Sequence, residues 1–269
     1  MLAFLVKYDK ISVMEATEEK KRIFLLDEVR GLAVFCMVLY HAYWVFGDVF
    51  GFQAAKKLFV FFTPAEPFFA GLFIFVCGFS CLLSHSNFKR SLKIIAAAAV
   101  FTVMTCAVLP ALGINEFRVY FGILHFLGLA VLLYAVCEKA VNKAEPFAGM
   151  FICLILYYMS YGLKYGVLGD GSLIKIALPP ELFEHDLLMP FGIHSASFVS
   201  ADYFPLFPNI FMFFFGVFGG RIILQKELPG FVYSEKFRFF GWLGRHAFII
   251  YVTHFPVIAL LAYIASKII

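Results

Sequence analysis

The sequence predicts an all-α, polytopic transmembrane helical bundle of about seven spans with a cytoplasmic N-terminus. Hydrophobic residues make up 62% of the 269 residues and charged residues only 15%, against roughly 45–50% and 25% in soluble globular chains. Seven segments are long and apolar enough, or nearly so, to cross a bilayer core about 30 Å thick as helices. No segment alternates with the period of two that barrel strands need. A soluble enzyme, a disordered chain and a nucleic-acid-binding protein are excluded.

The predicted spans and the basic residues between them set the topology. The spans lie at roughly 31–50, 68–84, 93–112, 118–137, 146–163, 203–224 and 246–266. With the N-terminus inside, 16 of the 22 Lys and Arg residues fall on the inner side and six on the outer side, as the positive-inside rule requires of cytoplasmic loops. We therefore predict a cytoplasmic segment 1–22, a transmembrane domain 23–269 and, within it, an acidic exoplasmic loop 164–202, long enough to be functional.

Ionisable residues inside predicted spans are costly in a membrane and are candidates for function. Arg30 and His41 are eleven positions apart, which on an α-helix is about three turns plus 20° and a rise of roughly 16 Å. Arg30 then lies at the inner mouth, paired with Asp27 one turn earlier, and its fork suits an oxyanion such as a phosphate. His41 lies near the midplane on the same face, where an imidazole suits proton transfer. Alternatively, Arg30 only anchors the helix and His41 packs as a neutral side chain.

Two further histidines lie at comparable depth in other predicted spans. His125 is about seven residues from the outer end of its span, and His254 about nine residues beyond Arg245. With His41 they form a set that lines one cavity, unless each is a satisfied packing residue. No His-x-x-x-His pair or carboxylate accompanies them, and the six cysteines have no metal-type spacing. No metal site is predicted.

Three polar residues are predicted near the outer mouth and are candidates for binding a substrate there. Asp202 and Asn209 flank two prolines at the start of the sixth span, and Glu66 lies between two prolines before the second span. Irregular backbone at such depth persists where protein or a water-filled cavity covers it. The alternatives are that Asp202 is an ordinary helix cap and that Glu66 is an interfacial charge.

Several stretches together resemble a known family. In chain order they are LLDEVRGLAVFCMVLYHAYW, GLFIFVCGFS, GILHFLGLA, DYFPLFPNIFMFFFGVFGGR and LGRHAFIIYVTHFPV. They resemble the bacterial branch of the heparan-alpha-glucosaminide N-acetyltransferase catalytic-domain family, over about residues 22–256. The Arg30–His41 pair is also similar to the arginine–histidine signature of the related acyltransferase-3 membrane enzymes.

The resemblance implies transmembrane acyl transfer. Acetyl-CoA would bind from the cytoplasmic side as co-substrate, with Arg30 orienting the CoA end, and the acetyl group would pass to an exoplasmic sugar amine or hydroxyl. His41 would serve as general base or acyl relay, and His254 would line the same path. The lysosomal enzyme has a histidine in its first lumenal loop, where this chain has Lys56 and Lys57. A cell-envelope glycan is therefore the expected acceptor rather than heparan.

The resemblance places the protein in a bacterial inner or plasma membrane as a multi-pass acetyltransferase. Its partners would be the lipid bilayer, the acyl-CoA and the exoplasmic sugar acceptor, with no nucleic acid. Whether a homo-oligomer completes the site stays an open question. Two other functions also remain open. A transporter or flippase for a small or lipid-linked sugar would use the same cavity without covalent chemistry. A membrane scaffold would use Arg30 and His41 for packing alone.

Overall fold

The computed structural model describes residues 22–268, and the predicted N-terminal segment 1–22 lies outside them except for Arg22. Seven helices in the described residues are long and apolar enough to cross a membrane. They are Phe24–Val49, Gln53–Cys81, Asn87–Ala111, Ile123–Lys143, Pro146–Tyr165, Leu206–Leu224 and Ala247–Ile268. The predicted all-α polytopic bundle is confirmed, and each predicted span overlaps one of these helices.

In residues 22–268, ten α-helices form these spans and their connections. They are α1 (Phe24–Trp44), α2 (Gln53–Phe62), α3 (Glu66–Cys81), α4 (Asn87–Val103), α5 (Leu109–Ala111), α6 (Ile123–Lys143), α7 (Pro146–Ser160), α8 (Leu206–Leu224), α9 (Arg238–Arg245) and α10 (Ala247–Ile268). Wider π-helical turns, Val45–Val49 and Met104–Val108, extend α1 and α4. The long loop 164–202 holds an antiparallel pair of two-residue strands, β1 (Val167–Leu168) and β2 (Ile176–Ala177).

The connection between the first two predicted spans is helical rather than a loop. Helix α2 leads through the 3-10 turn Thr63–Ala65 into α3, so that the second span runs over 29 residues. The ion pair of Lys56 with Asp48, at 3.0 Å, ties α2 to the end of α1. Hydropathy did not predict this helix because its lysines interrupt the apolar run.

A second helix absent from the prediction, α9, packs closely on α1. The backbone amides of Lys236 and Phe237 both donate to the Glu28 carboxylate, at 2.6 and 2.8 Å, so a side chain of α1 caps the start of α9. A Cβ atom on Gly31 would overlap the Phe240 carbonyl, and one on Gly244 would overlap that of Asp27. The two backbones therefore meet only because both positions are glycine, as in close helix packing within membranes.

A short ribbon at the other end of the bundle joins the start of α6 to the chain before α8. The Ala201 amide donates to the Arg118 carbonyl at 2.9 Å, and the Phe204 amide donates to the Phe121 carbonyl at 3.0 Å. This pairing holds Asp202, which is 5% exposed, against the first turn of α6. The end of the bundle that carries this ribbon is called the Asp202 end. The opposite end, where α1 begins close to Arg30, is called the Arg30 end.

Candidate functional site

The structure brings His41 of α1 and His254 of α10 into direct contact. Nδ1 of His41 lies 2.9 Å from Nε2 of His254, and the two rings stack with centroids 5.0 Å apart. The Phe255 ring packs on both histidines, and Trp44 and Phe117 pack on Phe255 in turn. Apolar walls strengthen the hydrogen bond between the rings, because the local dielectric constant is low.

Hydrogen bonding fixes how protons are arranged in the neutral pair. Nδ1 of His254 lies 2.5 Å from the Tyr251 carbonyl oxygen, which can only accept, so this nitrogen carries the proton. In a neutral ring Nε2 of His254 is then an acceptor, and His41 donates its Nδ1–H to it. Nε2 of His41 is left with a free lone pair, the form that a general base needs.

His41 faces a small cavity between α1 and α3, called here the histidine cavity. Its volume is about 50 Å³, room for a few water molecules or an acetyl group. Its wall is mostly apolar, with one imidazole and two carboxylates among its polar groups. The lining is Ala33, Cys36, Met37, Tyr40, His41, Glu66, Phe69, Ala70, Phe73, Ile123, Asp202, Phe204 and Tyr251.

Asp202 is anchored at the wall of the histidine cavity by two donors. Its Oδ2 accepts from the Ile123 amide at 3.0 Å and from the Tyr251 hydroxyl at 2.5 Å. Burial raises the pKa of this carboxyl, and the two hydrogen bonds oppose that rise. Asp202 therefore caps the start of α6, whereas the helix that follows it in sequence, α8, begins at Leu206 without a side-chain cap. The alternative that Asp202 caps the helix of its own segment is wrong.

A second and much larger cavity opens at the Arg30 end, and is called here the basic cavity. Its volume is about 1390 Å³. Cationic side chains dominate its polar lining, namely Arg22, Arg30, Lys89, Arg90, Lys93 and Arg245. A positive cavity of this size attracts an anionic ligand.

Three residues line both cavities, so the two are neighbours. Phe73, Ile123 and Tyr251 separate the basic cavity from the histidine cavity. Tyr251 also bonds Asp202 through its hydroxyl and His254 through its carbonyl. Of the predicted site residues, Asp202 and His254 contact Tyr251 of this partition and His41 contacts His254. Glu66 lines the histidine cavity with His41 and Asp202.

Arg30 and Asp27 lie together in the wall of the basic cavity. Nη1 of Arg30 contacts Oδ1 of Asp27 at 3.1 Å and the Gly244 carbonyl at 3.5 Å, and Nη2 donates to Ser80 Oγ at 2.6 Å. Asp27 also pairs with Arg22 at 2.8 Å. Much of the hydrogen-bonding capacity of Arg30 is thus used to join α1, α3 and α9.

Two of the predicted site residues lie elsewhere. The Gly122 amide donates to Nδ1 of His125 at 3.2 Å, so its Nε2 carries the proton and faces Thr102 Oγ1 at 2.9 Å. Both ring nitrogens of His125 are thereby used in holding α6 against α4, and His125 lines neither cavity. Asn209 donates to the Pro205 carbonyl at 2.8 Å and so stabilises the first turn of α8. It also lines neither cavity.

Sequence reasoning missed Tyr251 and the cluster Lys89, Arg90 and Lys93. Tyr251 lies three residues before His254, on the same helical face, a spacing that could have indicated it. The three cations entered the prediction only as inner-side basic residues, although they lie close together just before and at the start of the predicted span 93–112. In residues 22–268 no group of three His, Cys, Asp or Glu side chains is placed to hold a metal ion.

Fold and site define a polytopic helical membrane protein with a histidine pair beside the smaller of two neighbouring cavities. The family model described as heparan-alpha-glucosaminide N-acetyltransferase, catalytic, matches residues 22–256. The chain belongs to this family, and is thus a multi-pass membrane protein of a family of acetyltransferases. A search of curated proteins and a search of solved structures found no match.

Proposed function

We propose that this protein transfers an acetyl group from acetyl-CoA, bound at the Arg30 end, to a sugar or cell-envelope glycan that enters at the Asp202 end. The observation that carries the proposal is the His41–His254 pair beside the partition between the two cavities. A donor in one cavity and an acceptor in the other would meet at this base. Family membership supports the class of reaction.

Charge supports the assignment of the basic cavity to the donor. CoA carries phosphate groups, and Arg and Lys side chains bind phosphate oxygens strongly. A cavity of about 1390 Å³ exceeds the usual range of about 300–1,000 Å³ for ligand sites, so a long nucleotide donor has room. The basic residues of the Arg30 end also favour the cytoplasmic face, where acetyl-CoA is made.

His41 is the proposed catalytic base. Nε2 of His41 takes a proton from the acceptor amine or hydroxyl as the acceptor attacks the acetyl carbonyl. A C–N or C–O bond forms, the C–S bond of the thioester breaks, and the proton then passes from His41 to the CoA thiolate. His254 accepts from Nδ1–H of His41 throughout and stabilises its protonated form. Proton transfer by a positioned side chain contributes roughly 10²–10⁴-fold to rate.

The carboxylates of the histidine cavity favour an amine over a hydroxyl acceptor. Glu66 and Asp202 both line the cavity, and negative charge there attracts an ammonium group. Asn209 contacts only its own helix turn and has no part in this proposal. The cavity volume of about 50 Å³ matches the small groups that react there, the acetyl group and the acceptor amine.

The test is acetyl transfer by purified protein in detergent, with glucosamine as the probe acceptor. Release of free CoA thiol and formation of N-acetylglucosamine by mass spectrometry are measured for the native chain, for His41→Ala and for His246→Ala. His246 is exposed and lines neither cavity, so it is the matched control. We expect His41→Ala to lose at least about 100-fold in rate and His246→Ala to keep native activity.

Two results would contradict the proposal. A folded native protein that binds no acetyl-CoA in calorimetry has no donor site. Vesicles containing the protein that accumulate glucosamine without CoA would make the protein a transporter.

A further inference from the structure

The six cations that line the basic cavity fall into two groups. Arg22 and Arg30 share the carboxylate of Asp27, and Arg245 pairs with Glu235 at 2.6 Å. Lys89, Arg90 and Lys93 form no ion pair with a carboxylate within 4.0 Å in the part of the chain that the structure describes. Among the described residues the first group therefore keeps one uncompensated positive charge, and the second group holds three.

Helix geometry makes this second group costly to the folded protein. Lys89, Arg90 and Lys93 lie in the first two turns of α4, which begins at Asn87 after the cap Ser86. The N-terminus of a helix carries partial positive charge, so cations there are disfavoured and anions favoured. The first turn contains no acidic residue. Neither helix stability nor an ion pair within residues 22–268 accounts for three cations at this position.

Arg90 illustrates how this group is held towards the cavity. Its Nη2 donates to Cys77 Sγ at 3.2 Å, and its Nη1 lies 3.8 Å from Cys81 Sγ. Thiols are weak acceptors, so they orient the guanidinium without neutralising it. Lys89 and Lys93 are one turn apart on the same helical face and are exposed.

We propose that Lys89, Arg90 and Lys93 bind the phosphate groups of the acyl-CoA donor, whereas Arg30 positions the cavity wall. This inference rests on the proposed function, because it assigns the donor's phosphates to residues of the same cavity. A phosphomonoester carries about −1.5 to −2 charges at pH 7. Three cations that have no carboxylate partner in residues 22–268, together with the amides at the start of α4, can balance this charge. The phosphates thus enter at α4, and the acyl arm extends towards Phe73 and Tyr251.

The test is calorimetric binding of CoA, and of adenosine 3′,5′-bisphosphate as a probe with phosphates but no acyl arm. The variant is Lys89→Ala/Lys93→Ala, and the control is Lys139→Ala/Lys143→Ala. The control removes the same charge from exposed positions at the same end of the bundle, outside both cavities. Thermal unfolding of each protein verifies that it is folded.

We expect the Lys89→Ala/Lys93→Ala variant to bind both probes about 10- to 100-fold more weakly than the native protein, and the control within about twofold of it. Raising the salt concentration will shrink the difference, because mobile ions screen charges near solvent. Arg90→Gln is a second variant, and we expect it also to bind both probes more weakly than the native protein.

The inference and the proposed function fail in different ways. If the native protein binds CoA and Lys89→Ala/Lys93→Ala and Arg90→Gln bind it equally well, the phosphate site is elsewhere and the inference is wrong, while the function stands. If the folded native protein binds neither probe, the donor assignment fails, and the inference fails with it.

Discussion

Nδ1 of His41 and Nε2 of His254 are 2.9 Å apart, and the Tyr251 carbonyl accepts the remaining ring proton of His254. The three groups form a chain in which each hydrogen bond fixes the direction of the next. The chain ends at Nε2 of His41, a residue that lines the histidine cavity. The proposed base is therefore oriented by a neutral imidazole and a backbone carbonyl rather than by a carboxylate.

Replacement of His254 tests its positioning role. In His254→Ala, Nδ1–H of His41 loses its acceptor, and the proton is free to occupy Nε2 instead. We expect kcat for acetyl transfer to fall about 100-fold, while KM for acetyl-CoA stays near the native value. In His254→Gln the side-chain oxygen can take the place of Nε2 as acceptor, so part of the lost kcat should return. Steady-state kinetics of the native protein and the two variants measure kcat and KM separately.

Two results would contradict a positioning role for His254. Equal kcat values for native protein and His254→Ala would mean that the contact only packs α10 against α1. Equal losses in His254→Gln and His254→Ala would mean that an acceptor at this position is not what matters.

His125 should behave as a structural residue, in contrast to His254. His125→Ala removes the acceptor of the Gly122 amide and the partner of Thr102. Loss of a helix cap costs about 0.5–2 kcal/mol, so we expect a lower melting temperature with kcat unchanged at a temperature where the variant is folded. Thermal unfolding in detergent and kinetics on one sample separate the two effects. A 100-fold loss of kcat without loss of stability would return His125 to the catalytic set.

Hydropathy and charge were enough to predict the helical class and the number of spans, because both depend on local composition. Hydropathy also identified His41 and His254 as candidate site residues, since an imidazole is rare in an apolar run. It did not separate these two from His125, because all three lie at similar depth and only tertiary contacts decide which side chains meet. Helix α9 was missed because its start depends on Glu28, more than 200 residues away in sequence.

The pH dependence of stability will depend on Asp202. Burial raises the pKa of its carboxyl in the folded protein, above the value of about 3.9 expected when unfolded. The protonated form thus favours folding, and its contribution is present below the unfolded pKa and lost as pH rises through the folded pKa. Asp202→Asn cannot ionise, and its side-chain oxygen can still accept from Ile123 and Tyr251.

Relative to the native protein, Asp202→Asn should therefore gain stability as pH rises from 4 towards 8. Each unit by which the pKa is raised corresponds to about 1.4 kcal/mol. The measurement is the difference in unfolding free energy between the two proteins across this range. A difference that does not change with pH would mean that the folded carboxyl titrates near its ordinary value.

The contact of α1 with α9 should limit the stability of the wall that carries Arg30. In Gly244→Ala the added Cβ would overlap the Asp27 carbonyl, so the two helices must separate. Overpacking of this kind costs about 1–3 kcal/mol, and it moves the Gly244 carbonyl that Arg30 contacts. We expect a lower melting temperature and weaker CoA binding in the same variant, because Asp27 and Arg30 shift with α1.

Gly230→Ala is the control for Gly244→Ala, since nothing lies within 4 Å of a Cβ there, and it should change neither the melting temperature nor CoA binding. Native stability and affinity in Gly244→Ala would show that α9 can move away from α1 without disturbing the basic cavity.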